Sequence, residues 1–186
     1  QAALYRSVVD RWMPRIEAHE DRFGRRGAVL AMLGQLKQVC NHPEMVAPTG
    51  MPLEGRSGKL ERLVELLRSV PPEDKALVFT QFREMTAPLA DHLAAVFGRP
   101  GLVLHGGTPV AKRQELVTKF QDPAGPPFFV ISVKAGGTGL TLTAASHVIH
   151  FDRWWNPAVE DQATDRAFRI GQTKNVLVHK FVCEGT

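Results

Sequence analysis

Gln162, Arg166 and Arg169, near the carboxyl end of the chain, have the spacing i, i+4 and i+7. On a helix this spacing predicts one polar stripe. Two arginines one turn apart repel each other unless an anion lies between them. A nucleotide polyphosphate is such an anion, because a planar guanidinium binds phosphate oxygens at any working pH. The alternative is a solvated helix face on which Asp161 and Asp165 neutralise the arginines, and for this segment taken alone it is the simpler interpretation.

The segment that carries these residues follows a series of short apolar runs that alternate with amphipathic helices. The predicted strands are 76–79, 102–104, 128–132, 148–151 and 176–181. The predicted helices between them are 83–97, 109–120 and 157–169. A strand–helix–strand rhythm predicts an α/β fold with a mainly parallel sheet that is covered by helices on both faces.

The first part of the chain has helical periodicity instead. The apolar series in residues 1–46 are separated by the basic stretch around Arg22, Arg25 and Arg26, and Pro43 is expected to end the second helix. Residues 47–56 are rich in Pro and Gly and are predicted to form a loop, after which Ser57 caps a helix that runs to about residue 69. We therefore predict a helical segment with its linker over residues 1–56 and an α/β domain over residues 57–186.

A polar or glycine-rich step follows each of four predicted strands, at 80–82, 105–107, 134–139 and 152–155. The carboxyl ends of parallel strands share one edge of the sheet, where ligands bind. Together the four steps supply backbone N–H groups, hydroxyls, a lysine and tryptophans, which suit phosphates and a nucleic-acid backbone. Ordinary turns are the alternative for each step. The glycine run lacks the pattern of a Walker A loop, and Leu142 stands where a dinucleotide fingerprint needs its third glycine.

The strand exit at Trp154 and Trp155 leads into a predicted helix. Asn156 is a favourable N-cap and Pro157 suits the first helical position. We expect one tryptophan to anchor the loop in the core and the other to face outward, where it could pack against nucleic acid.

Composition limits the classes of function. The chain has 186 residues and a formal net charge of +4, which agrees with a polyanionic partner without requiring one. No apolar run approaches the length of a membrane span, and no signal peptide is visible. Cys40 and Cys183 are far apart and lack the CxxC spacing, which favours a reducing, intracellular setting. No hydrolytic set of Ser, His, Cys or carboxylate residues is assembled at fitting positions.

Several segments, in order, resemble the motifs of superfamily 2 helicase-like motors. Residues 78–82, 134–140, 152–157 and 162–172 resemble motifs IV, V, Va and VI. The sequence of residues 165–172, DRAFRIGQ, is similar to that of SWI/SNF-type ATPases. Residues 36–43 and 57–60 resemble the segment that leads into the second motor lobe. The wording of residues 151–157, FDRWWNP, is most similar to the prokaryotic branch. The resemblance spans nearly the whole chain.

The resemblance implies that this chain is the second of two RecA-like lobes, a three-layer domain preceded by a helical segment. In such motors ATP lies between the lobes and duplex DNA lies across both. Arg166 and Arg169 match the arginine fingers of motif VI, which reach phosphates held by the first lobe. Gln162 would lie at the same cleft, and Gly137 and Gly139 of motif V would line the nucleotide side.

The resemblance also implies a set of DNA contacts. Trp155 would couple the DNA side to the ATP side. The residues expected to follow one DNA strand by its phosphates are Thr80, Gln81, His105, Gly106, Lys134, Ala135 and Gly136. One departure from the family pattern is Thr141, which replaces an asparagine of motif V and puts only fine geometry in question.

The expected cofactors are ATP and Mg²⁺, bound mainly by the first lobe, because this chain has neither a Walker A loop nor a DEAH-type carboxylate pair. Alone it should not hydrolyse ATP, and it reads as a piece of a longer protein. The expected partners are the first RecA-like lobe, double-stranded DNA and a DNA-bound protein as remodelling target, with no membrane. We expect an intracellular location, in the cytoplasm or nucleoid of a prokaryote or the nucleus of a eukaryote.

Three alternatives stay open at this stage. The first is an RNA-dependent lobe of the same superfamily, against which the RIGQ wording of residues 169–172 argues. The second is a non-catalytic module that docks a protein partner through the helices of residues 1–50. The third is a nicotinamide-dependent enzyme, which the absence of the third glycine disfavours.

Overall fold

The computed structural model describes residues 1–135 and 139–184. The chain divides into two compact units, Gln1–Glu61 and Arg62–Thr186. The predicted boundary after residue 56 lies a few residues before this division. Within the described ranges, no helix is both long and apolar enough to cross a bilayer.

The first unit is built on two helices, α1 (Ala2–Glu17) and α2 (Arg22–Asn41). They pack around Val8, Leu36 and Val39, which are almost completely buried. The Asp21 carboxylate caps α2 by accepting a hydrogen bond of 2.6 Å from the Gly24 N–H. The basic stretch that begins at Arg22 was expected to separate the helices, and this expectation is wrong. The stretch forms the first turns of α2, because a good N-cap at Asp21 starts the helix there.

The segment after α2 is held by a buried histidine. A short 3₁₀ turn, Pro43–Met45, follows the end of α2, as the proline predicts. His42 Nε2 donates to the Leu53 carbonyl over 2.9 Å, and its Nδ1 accepts from the Glu44 N–H over 3.1 Å. Helix α3 (Gly58–Arg68) then begins at the predicted cap, since Ser57 Oγ accepts from the Leu60 N–H over 3.3 Å.

The second unit contains a five-stranded parallel sheet in the order β2-β3-β1-β4-β5. Its strands are β1 (Lys75–Thr80), β2 (Leu102–Leu104), β3 (Phe128–Ser132), β4 (Ala145–His150) and β5 (Leu177–Lys180). The helices of this unit are α4 (Arg83–Phe97), α5 (Val110–Gln121) and α6 (Pro157–Thr164). The predicted α/β fold with helices on both sides of a parallel sheet is confirmed.

The core of this unit explains why the strands could be recognised. Every residue of β1, β3 and β4 is buried, because helices cover both faces of the sheet. Phe79, Phe120 and Phe129 are among the largest fully buried side chains. A strand buried on both faces is a continuous apolar run, which is the pattern seen in the sequence.

Helix α6 is shorter than predicted. It ends at Thr164, whereas its expected range ran to residue 169. The next residues form turns, with the Arg166 N–H bonded to the Ala163 carbonyl over 3.3 Å. The Leu142 N–H, which belongs to a distant segment of the chain, donates a hydrogen bond of 2.8 Å to the Arg166 carbonyl. The Arg166 carbonyl therefore accepts a tertiary hydrogen bond instead of a bond within a longer helix.

Candidate functional site

The polar steps after β1, β2, β3 and β4 share one edge of the sheet because all the strands are parallel. One carboxylate joins two of them. Thr80 Oγ1 donates to Asp152 Oδ2 over 2.6 Å, and the Gln81 N–H donates to Asp152 Oδ1 over 2.8 Å. Asp152 is 2 % exposed. The step after β1 and the step after β4 are thus held in fixed register by a buried acceptor.

This clasp corrects the role expected of Thr80. The Thr80 side chain is fully buried. Its hydroxyl group donates a hydrogen bond to Asp152, and its oxygen accepts one from the Phe82 N–H over 3.2 Å. It therefore offers no side-chain group to a DNA strand and instead positions Asp152. Gln81 is half-buried, and its Nε2 is buried without a hydrogen-bond acceptor in the described part of the chain.

Side-chain hydrogen bonds hold the turn after β2. His105 Nδ1 accepts from the Gly107 N–H over 3.1 Å, so the ring hydrogen is on Nε2. The His105 N–H donates to Thr108 Oγ1 over 3.1 Å, and Arg113 Nε donates to the Thr108 carbonyl over 2.9 Å. The main chain at Gly106 is exposed. The turn therefore presents exposed main chain at the sheet edge.

The step after β3 is only partly described. Lys134 is exposed, and its Nζ lies 5.9 Å from the centroid of the Trp154 ring, within reach of a cation–π contact. Ala135 is 2 % exposed, so its methyl group belongs to the core and its expected contact with DNA could involve only main-chain atoms. Gly136 and Gly137 lie outside the described residues. Gly139 has a φ of 66°, a backbone conformation that favours glycine.

The two tryptophans divide as expected. Trp154 packs against the main core cluster, whereas 56 % of Trp155 is exposed. Asn156 Oδ1 accepts from the Ala158 N–H over 3.0 Å, and Pro157 takes the first helical position, so both predictions for the start of α6 are confirmed.

A buried glutamate holds the tryptophan loop. Glu160 is fully buried, and Arg153 Nε donates to both of its oxygens, over 2.8 and 3.1 Å. The Trp154 N–H donates to Oε1 over 2.8 Å, and Lys180 Nζ lies 3.4 Å from Oε2. Burial raises the pKa of Glu160, but the hydrogen bonds from Arg153 and Trp154 outweigh this effect and bring the pKa below its ordinary value. The carboxylate is therefore ionised and fixes the loop that carries Trp155.

The candidate finger residues lie beside the connection between the glycine run and β4. Arg169 Nη1 donates to the Gly139 carbonyl over 3.1 Å, and Arg169 is exposed. Arg166 is only 3 % exposed, whereas Gln162 is exposed. The prediction of one helical stripe is wrong, because α6 ends at Thr164 and the turns that follow direct the two arginines into different environments.

The positive charges of Arg166 and Arg169 are close enough to affect each other. Burial lowers the pKa of Arg166, and the nearby charge of Arg169 lowers it further, while Asp165 opposes both effects. In the described ranges, neither arginine forms a salt bridge, and Asp161 lies 3.5 Å from Lys180 instead. Arg166 Nε is buried and has no hydrogen-bond acceptor among the residues that the structure describes. A buried cation without a paired anion is costly, so the neutralised-face interpretation is disfavoured.

A glutamine anchors the arginine turn, residues 165–172. Gln172 Nε2 donates to the Ala145 carbonyl over 2.9 Å and to the Ala167 carbonyl over 3.0 Å. Ala145 is the first residue of β4, at the opposite end of that strand from Asp152. The arginine turn is therefore anchored beside the start of β4 through Gln172 and is bonded to Gly139 through Arg169.

Sequence reasoning missed three residues that shape the site: Asp152, Glu160 and Gln172. The only signal for Asp152 was an acidic residue placed directly after a buried strand. Glu160 and Gln172 gave no local signal, because nothing in a sequence shows that a polar helix or turn residue is buried. In the part of the chain that is described, no group of three or more His, Cys, Asp or Glu side chains is placed to hold a metal ion.

Comparison with protein families assigns the class. Residues 58–171 match the family described as "Helicase conserved C-terminal domain", and the chain belongs to this family. A curated relative from Bacillus subtilis, named "Putative ATP-dependent helicase/translocase YwqA", is 45 % identical over 189 residues. The match covers 100 % of this chain and 20 % of YwqA, so the chain spans about a fifth of the length of this relative.

Solved structures narrow the assignment, and all three that follow come from the SWI2/SNF2 ATPase of Sulfolobus solfataricus. Its core domain has 39 % identity and a TM-score of 0.87, and the match covers all of this chain and 37 % of that one. The core in complex with dsDNA has 37 % identity and a TM-score of 0.84, with coverages of 97 % and 38 %. Its C-terminal domain has 35 % identity and a TM-score of 0.82, with coverages of 100 % and 75 %. The chain is the C-terminal, RecA-like lobe of a SWI2/SNF2 ATPase.

Proposed function

We propose that this lobe supplies arginine fingers for ATP hydrolysis and sequence-independent contacts to the backbone of double-stranded DNA in an ATP-dependent translocase. The observation that carries the proposal is the pair Arg166 and Arg169. They lie close enough to depress the pKa of Arg166, they form no salt bridge in the described ranges, and one is bonded to Gly139. Two adjacent cations that no described carboxylate neutralises at salt-bridge distance fit a polyphosphate that arrives from outside the lobe.

On the nucleotide side, Arg169 is the accessible finger. The only side-chain hydrogen bond of Arg169 among the described residues is to a neutral carbonyl, which a charged phosphate oxygen can replace with a stronger, charge-assisted bond. Arg166 lies deeper, and its unsatisfied Nε favours a small movement toward an acceptor when the lobes close. Gln162 is exposed on the last turns of α6 and is available to the same cleft.

The rest of the ATP site belongs to a partner. We propose that ATP and Mg²⁺ are held mainly by a first RecA-like lobe, since the sequence has no Walker A loop and no DEAH-type pair. Bound Mg²⁺ would neutralise charge on the phosphates during transfer. This lobe alone would then be inactive in ATP hydrolysis, and its arginines would act only when the two lobes meet.

On the DNA side, exposed groups at the carboxyl edge of the sheet fit a phosphate backbone. These are Lys134, Gly106 with His105 Nε2 and the exposed face of Trp155. Gln81 is part-exposed, but its Nε2 is buried, so its side chain would have to turn outward to donate to a phosphate. Contacts of these groups with phosphate oxygens would carry no sequence information, so binding should be independent of sequence and sensitive to salt. The dsDNA complex of the Sulfolobus ATPase supports a duplex as the ligand.

The coupling between the two sides is carried by rigid parts. The buried carboxylates of Asp152 and Glu160 fix the steps that carry Gln81 and Trp155. Closure on ATP and release after hydrolysis would then move the DNA-binding edge as one body and step it along the backbone. We further propose a DNA-bound protein as the remodelling target and a location inside the cell, where ATP and DNA are present.

The test is the ATPase activity of the full-length two-lobe protein with duplex DNA, single-stranded DNA and RNA. We expect stimulation by duplex DNA, and Lys134→Gln should raise the DNA concentration for half-maximal stimulation more than it changes kcat. Stimulation by RNA alone would instead support an RNA-dependent helicase. An absence of nucleic-acid-stimulated hydrolysis would contradict the motor assignment and favour a protein-docking module.

A further inference from the structure

Arg83, the first residue of α4, carries an exposed guanidinium. No residue in the described ranges accepts a hydrogen bond from its guanidinium or forms a salt bridge with it. Arg83 follows the carboxyl end of β1, so it belongs to the same edge of the sheet as Gln81 and Lys134. Arg83 lies directly after residues 78–82, the segment that resembles motif IV.

The position of the Arg83 guanidinium is set by a glycine. A methyl group built on Gly107 would lie 2.8 Å from Arg83 Nη2 and 3.1 Å from its Cζ. Only the absence of a side chain at Gly107 lets the guanidinium lie against this turn. The same position is 3.2 Å from His105 Cε1, so the guanidinium and the imidazole flank one small patch of exposed main chain.

A second arginine reaches the same turn from α5. Arg113 Nη2 lies 3.4 Å from the Gly106 carbonyl and donates to it, while its Nε is bonded to the Thr108 carbonyl. No carboxylate in the described part of the chain forms a salt bridge with Arg113. Two guanidinium groups and the His105 Nε2 hydrogen therefore surround a turn to which no described carboxylate is bonded, and these are the groups that bind a phosphate.

We propose that Arg83, seated on Gly107, forms with Arg113 and His105 a subsite for one phosphate of the DNA backbone. This subsite rests on the proposed function and deepens it, because it adds Arg83 and Arg113 to the turn after β2 and assigns one backbone phosphate to that turn. Arg83 makes the contact, and Arg113 positions the turn and adds positive charge. Gly107 is required because any side chain there displaces the Arg83 guanidinium.

The first experiment measures duplex DNA affinity of the full-length two-lobe protein as a function of salt. Arg83→Gln should weaken binding to all sequences alike. It should also reduce the slope of log K against log[salt] by about 0.9, the value for one phosphate contact on B-DNA. Arg68→Gln is the matched control, because Arg68 is also exposed but lines a cavity with Ala76 and Phe128, at the opposite ends of β1 and β3. It should leave the slope unchanged.

The second experiment tests whether Gly107 sets the position of the Arg83 guanidinium. Gly107 does not have a positive φ, and the atoms that an added methyl would meet belong to the flexible end of Arg83 and to His105. Gly107→Ala should therefore fold normally, shift Arg83 and reduce the salt slope as Arg83→Gln does. In the Arg83→Gln background it should cause no further reduction. Gly34→Ala, at a position with no neighbouring atom within 4 Å, is the control and should leave the slope unchanged.

The Lys134→Gln variant distinguishes a failure of the Arg83 subsite from a failure of the whole DNA-binding edge. If Lys134→Gln reduces the slope but Arg83→Gln does not, the subsite is overturned and the proposed DNA-binding edge stands. If neither variant reduces the slope, both the subsite and the proposed edge are overturned. A reduction with Arg83→Gln that Gly107→Ala does not reproduce would overturn the seat on Gly107.

Discussion

Replacement of Glu160 by glutamine tests whether the buried carboxylate holds the tryptophan loop. The substitution keeps the shape of the side chain but removes its charge. It also replaces one acceptor oxygen with an NH₂ group that faces Arg153 or Lys180. We expect Glu160→Gln to lower the free energy of unfolding and to loosen the loop that carries Trp155.

The magnitude follows from the contacts. Glu160 is fully buried and accepts three hydrogen bonds, two from Arg153 Nε and one from the Trp154 N–H. Breaking a buried ion pair costs about 3–5 kcal/mol when the remaining charge is also buried. Here 41 % of the Arg153 side chain and 33 % of the Lys180 side chain are exposed, so water solvates part of the charge left behind. Allowing for this screening, we expect a loss of about 2 kcal/mol.

The assay is urea unfolding followed by tryptophan fluorescence, with the midpoint and the m-value compared between variants. Glu115→Gln is the matched control. Glu115 is also a helical glutamate with a short ion pair, 2.7 Å to Lys119 Nζ, but both side chains of that pair are more than half exposed. Its removal should leave the unfolding midpoint unchanged. Equal midpoints for Glu160→Gln and the unsubstituted chain would refute the assigned role of Glu160.

Three further predictions concern single residues. Burial lowers the pKa of His150 to about 4, so between its unfolded value near 6.5 and that pH the unfolded chain binds more protons. Stability should therefore fall by about 3 kcal/mol in total as the pH is lowered through this window, and His150→Gln should flatten the dependence of the urea midpoint on pH. Thr80→Val removes the donor to Asp152 Oδ2 and should cost about 1–3 kcal/mol of unfolding free energy, whereas Thr80→Ser should recover most of this loss. Gly139→Ala should lower the melting temperature, because a φ of 66° costs a residue with a Cβ about 1–2 kcal/mol.

The sheet could be predicted because its pattern is local. The strands buried on both faces are continuous apolar runs, and the bounds of β2 and β3 are those predicted. The end of α6 could not be predicted, because it depends on the hydrogen bond between the Leu142 N–H and the Arg166 carbonyl. The start of β4 was placed too late for a similar reason. Ser146 and His147 are polar and yet buried in the strand, which an apolar pattern does not show.

The candidate site could be predicted only in part. Residue types and spacing left both a solvated face and an anion site open for Arg166 and Arg169, and the family resemblance favoured the anion site. Neither showed that one arginine is buried while the other is exposed. The clasp at Asp152 joins groups 71 and 72 residues away in the chain, and such a contact has no signature in a single sequence. The expected contact of Thr80 with DNA was wrong for the same reason, since its burial is a property of the fold.

The rate of ATP hydrolysis by Arg169→Ala in the full-length two-lobe protein, at saturating ATP and duplex DNA, tests the central claim most directly. If Arg169 completes the ATP site, kcat should fall by at least about 10³, and Arg169→Lys should recover little because an ammonium lacks the planar fork. Nucleotide binding by the first lobe should persist, and Arg68→Ala should hydrolyse ATP at the unsubstituted rate. A kcat for Arg169→Ala equal to that of the unsubstituted protein would contradict the account.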